Sequence, residues 1–146
     1  MARKKIGAIS HSRMRKLFYL LLLFLASCGW NKVDLTKARA VAERFLNDQK
    51  NERYEGINDY FTPSFNESEP LEKKTEKLKK IKNILGIIES FELADTKETS
   101  NGLDDVPTIQ LRYKVKYARA TAEQWFIIIN DEGTHRITFQ NIETKN

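Results

Sequence analysis

At 146 residues the chain has room for one domain with one core and is too short for two ordinary ones. Its formal charge of +5 suggests a nucleic-acid partner until the charge is located: six of the 25 basic residues (Arg3, Lys4, Lys5, Arg13, Arg15 and Lys16) precede Cys28 with no acid among them, leaving 19 against 20 acids in the rest. A folded part without a basic excess is poorly equipped to exchange counterions for phosphates, so no nucleic-acid partner is expected.

The first element is a leader with a basic start, an apolar run at 17–26 and a small-residue exit at Ala26 and Ser27. Ten apolar residues cannot cross about 30 Å of hydrocarbon as a helix, so the pattern predicts a signal peptide over 1–27 rather than a membrane span. Met14 offers a second start, because 14–28 is already a complete short leader. Leu25-Ala26-Ser27-Cys28 resembles the lipobox of bacterial lipoproteins at all four positions. The resemblance implies diacylglycerol on the Cys28 thiol, cleavage before Cys28 and an N-acyl chain, such as palmitate, on the freed amine. Two or three chains, each buried methylene contributing about 0.8 kcal/mol, would hold the protein on a membrane without spanning it. Residues 28–33 then form a short tether reaching roughly 20 Å at most, and Trp30 in it suits a membrane interface or a contact with the domain. Gly29 instead of Asp after the cysteine lacks the retention mark of inner-membrane lipoproteins. By resemblance, the expected location is the cell envelope, in the outer membrane facing the periplasm, or on the outer face of the plasma membrane in a Gram-positive source.

Along 34–146, read as a single domain, the apolar period changes once. Leu35, Ala38, Val41, Ala42, Phe45 and Leu46 fall on one helical stripe, with Asp34 or Thr36 as cap, predicting a helix over about 34–51. A shorter helix is expected over 57–61, before Pro63 and the polar stretch after it interrupt the pattern. A third, over about 69–85, carries Leu71, Leu78, Ile81 and Leu85 on one face and stops at Gly86. Beyond Gly86 the spacing becomes two. Ile87, Phe91 and Leu93 begin a strand, and Ile109, Leu111, Tyr113, Val115 and Tyr117 alternate with polar residues in a second. "EQWFIIIN" at 123–130 is apolar on both faces, as a central strand would be; "DEGT" marks a turn and the last strand returns antiparallel. Three helices followed by four tightly connected strands predict an α+β fold, helices packed on one face of a curved, cone-like antiparallel sheet.

The order of these elements resembles the nuclear-transport-factor-two-like, cystatin-like superfamily over about 34–143. The matching stretches are "ARAVAERFL", "YEGINDYFTPSF", "LGIIESFEL", "IQLRYKVKY" and "EQWFIII". The superfamily includes enzymes, transport adaptors and binding domains, so this likeness implies fold and leaves function to the residues.

Chemistry-bearing motifs are sparse. His135, the one histidine left after processing, directly follows the "DEG" turn and reads as a solvated turn residue. Asp104-Asp105 lacks the regularly spaced oxygen ligands of a calcium loop, and no zinc spacing, phosphate-cradling loop or serine elbow occurs, so no metal and no cofactor beyond the lipid is expected. Lys73, Lys74, Lys77, Lys79, Lys80 and Lys82 read as a solvated helix surface, with Glu69, Glu72 and Glu76 placed to pair at helical spacings such as Glu76-Lys80; contact with anionic headgroups or an acidic partner is the alternative. "NES" at Asn66 is a formal glycosylation sequon without meaning in a bacterial lipoprotein. Tyr113, Tyr117 and Trp125, assigned one inward parity, are the candidate lining of a pocket, against the plainer reading as core. The expected protein is a non-catalytic, lipid-anchored envelope module that binds a small apolar ligand or another envelope protein; the alternative is an isomerase-like or hydrolase-like enzyme acting on a hydrophobic substrate.

Overall fold

The computed structural model describes residues 32–99 and 106–144, which belong to one compact unit, Asn31–Asn146. The leader, the lipobox with Cys28, Trp30 and the Asp104-Asp105 pair lie outside the described residues. The elements are α1 (Leu35–Lys50), a 3-10 turn (Ile57–Tyr60), α2 (Pro63–Ser68), α3 (Leu71–Leu85), β1 (Ile88–Thr99), β2 (Thr108–Tyr117), β3 (Thr121–Asp131) and β4 (Thr134–Thr144). The strands pair antiparallel in chain order, so β1 and β4 are the edges of an open sheet. The fold is α+β, helices first and sheet second. No described helix is long and apolar enough to cross a membrane.

Helix α1 forms where its apolar stripe predicts. Its N-cap is Asp34, whose Oδ1 accepts from the Lys37 backbone N–H at 2.9 Å, supplying one partner to the orphan donors of the first turn. The stripe Ala38, Val41, Ala42, Phe45 and Leu46 is buried against the sheet, and each large side chain so buried contributes about 1.5–3 kcal/mol. Phe45 sits at the centre, meeting Phe61, Phe126 and Tyr60 edge to face at 5.4, 5.8 and 6.0 Å.

The region after α1 departs from the sequence reading. The expected helix at 57–61 is a single 3-10 turn, and Pro63 starts a helix instead of interrupting one. Proline suits a first helical position because its fixed φ is already helical and its missing N–H would have had no intrahelical partner. Thr62 caps α2 by accepting from Phe65 N–H, and Phe65 stacks on Phe61 at 4.7 Å. Helix α3 begins at Leu71, two residues later than expected, after Pro70. It ends at Gly86, whose φ of 90° suits glycine; a Cβ there would meet the Cβ of Ala118 at 2.8 Å.

In the sheet, Ile109, Leu111, Tyr113, Val115 and Tyr117 of β2 face the core beside Ala122, Gln124, Phe126 and Ile128 of β3. Register shifts mark irregularities at Glu89 and Ala94 in β1, so Ile88 turns inward while Ile87, expected on the strand's apolar face, is 53% exposed. A third shift in β4 leaves Thr138 as the extra residue: Ile137 pairs with Ile128, Phe139 with Ile127 and Gln140 with Phe126. Beyond it the inward parity passes to Gln140 and Ile142. The "DEGT" turn joins β3 to β4 with positive φ at both Glu132 and Gly133, as expected of a mirror-image hairpin turn.

Candidate functional site

A groove of about 420 Å³ opens between α3 and the second half of β4. Its apolar wall is built by Phe45, Ile57 and Phe61 from the first half of the domain, Leu78, Ile81 and Leu85 from α3, and Ile142 from β4. Spacings of three and four along α3 put these side chains on one face, and the irregularity at Thr138 turns Gln140, Ile142 and Thr144 toward the same space. Lys77, Lys80 and Ile84 form the rim on the helix side. The volume falls within the usual range of small-molecule sites, roughly 300–1,000 Å³.

Lys74 closes one part of this wall and is only 3% exposed. Its ammonium donates to Asn58 Oδ1 at 2.9 Å, Asn66 Oδ1 at 2.7 Å and the Glu69 carbonyl, so three hydrogens meet three neutral acceptors. The charge also lies 5.1 Å from the centre of the Phe61 ring and 5.4 Å from that of Phe65. Burial lowers its pKa, with the Glu69 charge opposing the shift. The three acceptors favour the ammonium, which suits Lys74 as a fixed cation joining α3 to α2 and the 3-10 turn better than as an amine nucleophile. Asn66, noted in the sequence only as part of a sequon, is thus a structural ligand of this lysine. The lysine run also proves divided: Lys74, Lys77 and Lys80 face the groove, which local sequence alone did not separate from the other lysines.

The three residues expected to share a pocket do not share a face. Tyr113 and Tyr117 are inward, 0% and 3% exposed, whereas Trp125 lies on the opposite face of the sheet, 5.3 Å from the Arg112 guanidinium and beside it in register. Trp125 is one residue out of phase with the buried Gln124 and Phe126, and a strand apolar on both faces gives no parity by composition. None of the three lines the groove. Tyr113 Oη donates to Glu43 Oε1 at 3.2 Å, and burial, reinforced by that carboxylate, pushes its pKa far up. Tyr117 Oη accepts from the buried amides of Gln124 at 2.6 Å and Gln49 at 3.3 Å; burial raises its pKa as well. Both are core side chains whose hydroxyls are engaged.

His135 also differs from expectation. It is 8% exposed, not a solvated turn residue, and its Nε2 accepts from the Asp34 backbone N–H at 2.9 Å. The bond ties the N-cap of α1 to the start of β4, a contact across 101 residues that no local pattern announces. The groove contains no histidine, and its one carboxylate, Glu69, pairs with Lys77 at 3.4 Å. No group of three or more potential metal-binding side chains is found among the described residues.

No protein-family model matches the chain, and no curated protein matches it.

Proposed function

We propose that the protein is a lipid-anchored module of the bacterial cell envelope that binds a small apolar ligand in the groove between α3 and β4. The observation that carries the binding reading is the groove itself: about 420 Å³ with an aliphatic and aromatic wall, beside a core in which the Tyr113 and Tyr117 hydroxyls are already hydrogen-bonded. The Leu25-Ala26-Ser27-Cys28 box supports the anchor, with diacylglycerol and an N-acyl chain on Cys28, and Gly29 in place of Asp after the cysteine supports an outer-membrane place facing the periplasm. Element order supports kinship with the nuclear-transport-factor-two-like, cystatin-like superfamily and a cone-like sheet. The reading is non-catalytic because the pairing of Glu69 with Lys77 and the triple hydrogen bonding of Lys74 engage the two groups best placed for acid-base or nucleophilic work in the groove.

Native mass spectrometry of the full chain released from membranes tests the binding reading. A retained small apolar molecule is expected, lost in Ile81→Lys, which puts a charge on the apolar wall, and kept in Tyr117→Phe. A chain that carries no such molecule, or keeps it in a folded Ile81→Lys variant, counts against the groove as a binding site.

A further inference from the structure

We propose that the groove selects a single-chain amphiphile with an anionic head, its acyl chain against the α3 wall and its head at Lys80. This rests on the reading of the groove as a binding site and adds the ligand's charge. Four ionisable side chains line the space: Lys74, Lys77, Lys80 and Glu69. Glu69 and Lys77 form an ion pair at 3.4 Å, which offsets one positive charge. Lys74 is buried among neutral acceptors, so its hydrogen bonds are satisfied while no carboxylate hydrogen-bonds to or pairs with it. Lys80, one turn from Glu76 and expected from that spacing to pair with it, makes no ion pair or hydrogen bond among the described residues. The wall therefore carries an excess of positive charge around an apolar floor, with Lys80 exposed at its rim.

The placement of these charges also matters. Lys77 and Lys80, three residues apart on α3, stand on the rim, while Leu78 and Ile81 beside them form the floor. Across the groove the Gln140 amide has no internal hydrogen bond among the described residues and offers N–H donors to the same head. A wholly apolar guest would use the floor and leave Lys80 and Gln140 to solvent. A carboxylate or phosphate at the end of an acyl chain uses both.

The test keeps the full chain in phosphatidylcholine vesicles and photolabels it with a diazirine-bearing palmitate or the matching methyl ester, locating the label by peptide mass spectrometry. The acid is expected to label peptides containing Ile81 and Ile142 up to about fivefold more efficiently than the ester, the weight of one exposed ion pair. Lys80→Glu, an exposed change that leaves the helix intact, should erase this preference; Ile81→Lys should remove groove labelling by both probes. Competition by oleate and by lysophosphatidate separates the head groups: stronger protection by one of them identifies carboxylate or phosphate. Equal labelling by acid and ester, or a preference that survives Lys80→Glu, overturns the anionic head while leaving an apolar binding site standing. Labelling of the groove by neither probe overturns both readings.

Discussion

The Nε2 of His135 accepts a hydrogen bond from the backbone N–H of Asp34 at 2.9 Å, joining the residue that caps α1 to the start of β4. With Nε2 as acceptor, the neutral ring carries its proton on Nδ1, and protonating Nε2 would break the bond. Burial lowers the His135 pKa from its usual 6.5; nearby Lys37 lowers it further and Asp34 opposes. The unfolded chain therefore binds this proton more readily than the folded one, and the contribution to stability is fully present above about pH 6.5. It is lost as pH falls from there toward the depressed folded value. In urea unfolding, wild type is expected to lose stability between pH 7.5 and 5.5, and His135→Ala to lose less over the same interval. At pH 7.5, His135→Ala should cost about 1–2 kcal/mol through the lost bond and packing. Equal pH slopes in the two proteins would remove His135 from this role.

Lys74 should behave as a structural cation. Lys74→Met retains much of the aliphatic volume but leaves Asn58 Oδ1, Asn66 Oδ1 and the Glu69 carbonyl without their donor. A destabilisation of about 2–3 kcal/mol is expected, since leaving a buried polar group unsatisfied costs about 1–3 kcal/mol. Lys79→Met, on an exposed lysine outside the groove, should stay within about 0.5 kcal/mol. Denaturant midpoints of the two variants check the contrast.

Trp125 and Phe126 are neighbours in sequence on opposite faces of β3. Phe126→Ala empties a fully buried site between Phe45 and Tyr113 and should cost about 3–5 kcal/mol. Trp125→Ala removes a half-buried ring and its contact with Arg112, with an expected cost of about 1–2 kcal/mol. Thermal or urea unfolding that ranks Trp125 above Phe126 would contradict the assigned faces.

For the proposed anchor, a fatty-acid probe should label the wild-type protein and fail to label Cys28→Ser. The variant should also leave the membrane fraction or retain its leader. Unchanged labelling in Cys28→Ser would eliminate the lipid site.

Much of the fold was legible because its signals are local. The stripe from Ala38 to Leu46, the alternation from Ile109 to Tyr117 and the glycine-bearing turn at Glu132 and Gly133 each encode their conformation within a few residues. The leader and the Leu25-Ala26-Ser27-Cys28 box are readings of the sequence by itself, as is the absence of a basic excess in the folded part. Pro63 misled because the same ring that ends a helix interior can begin a helix, and the Thr62 cap favours the second outcome.

The candidate site depended on contacts between distant residues. Trp125 sits on the outer face because pairing aligns it with Arg112 and Asn141 while Gln124 and Phe126 take the core parity; a strand apolar on both faces contains no internal sign of that choice. The extra residue at Thr138 reverses the phase of β4 and brings Ile142 opposite α3. Asn58 and Asn66 converge on Lys74 from different elements, and His135 meets Asp34 only when the ends of the domain pack together. Periodicity determines which local structure each segment favours, whereas register, bulges and packing determine which side chains enter a common space.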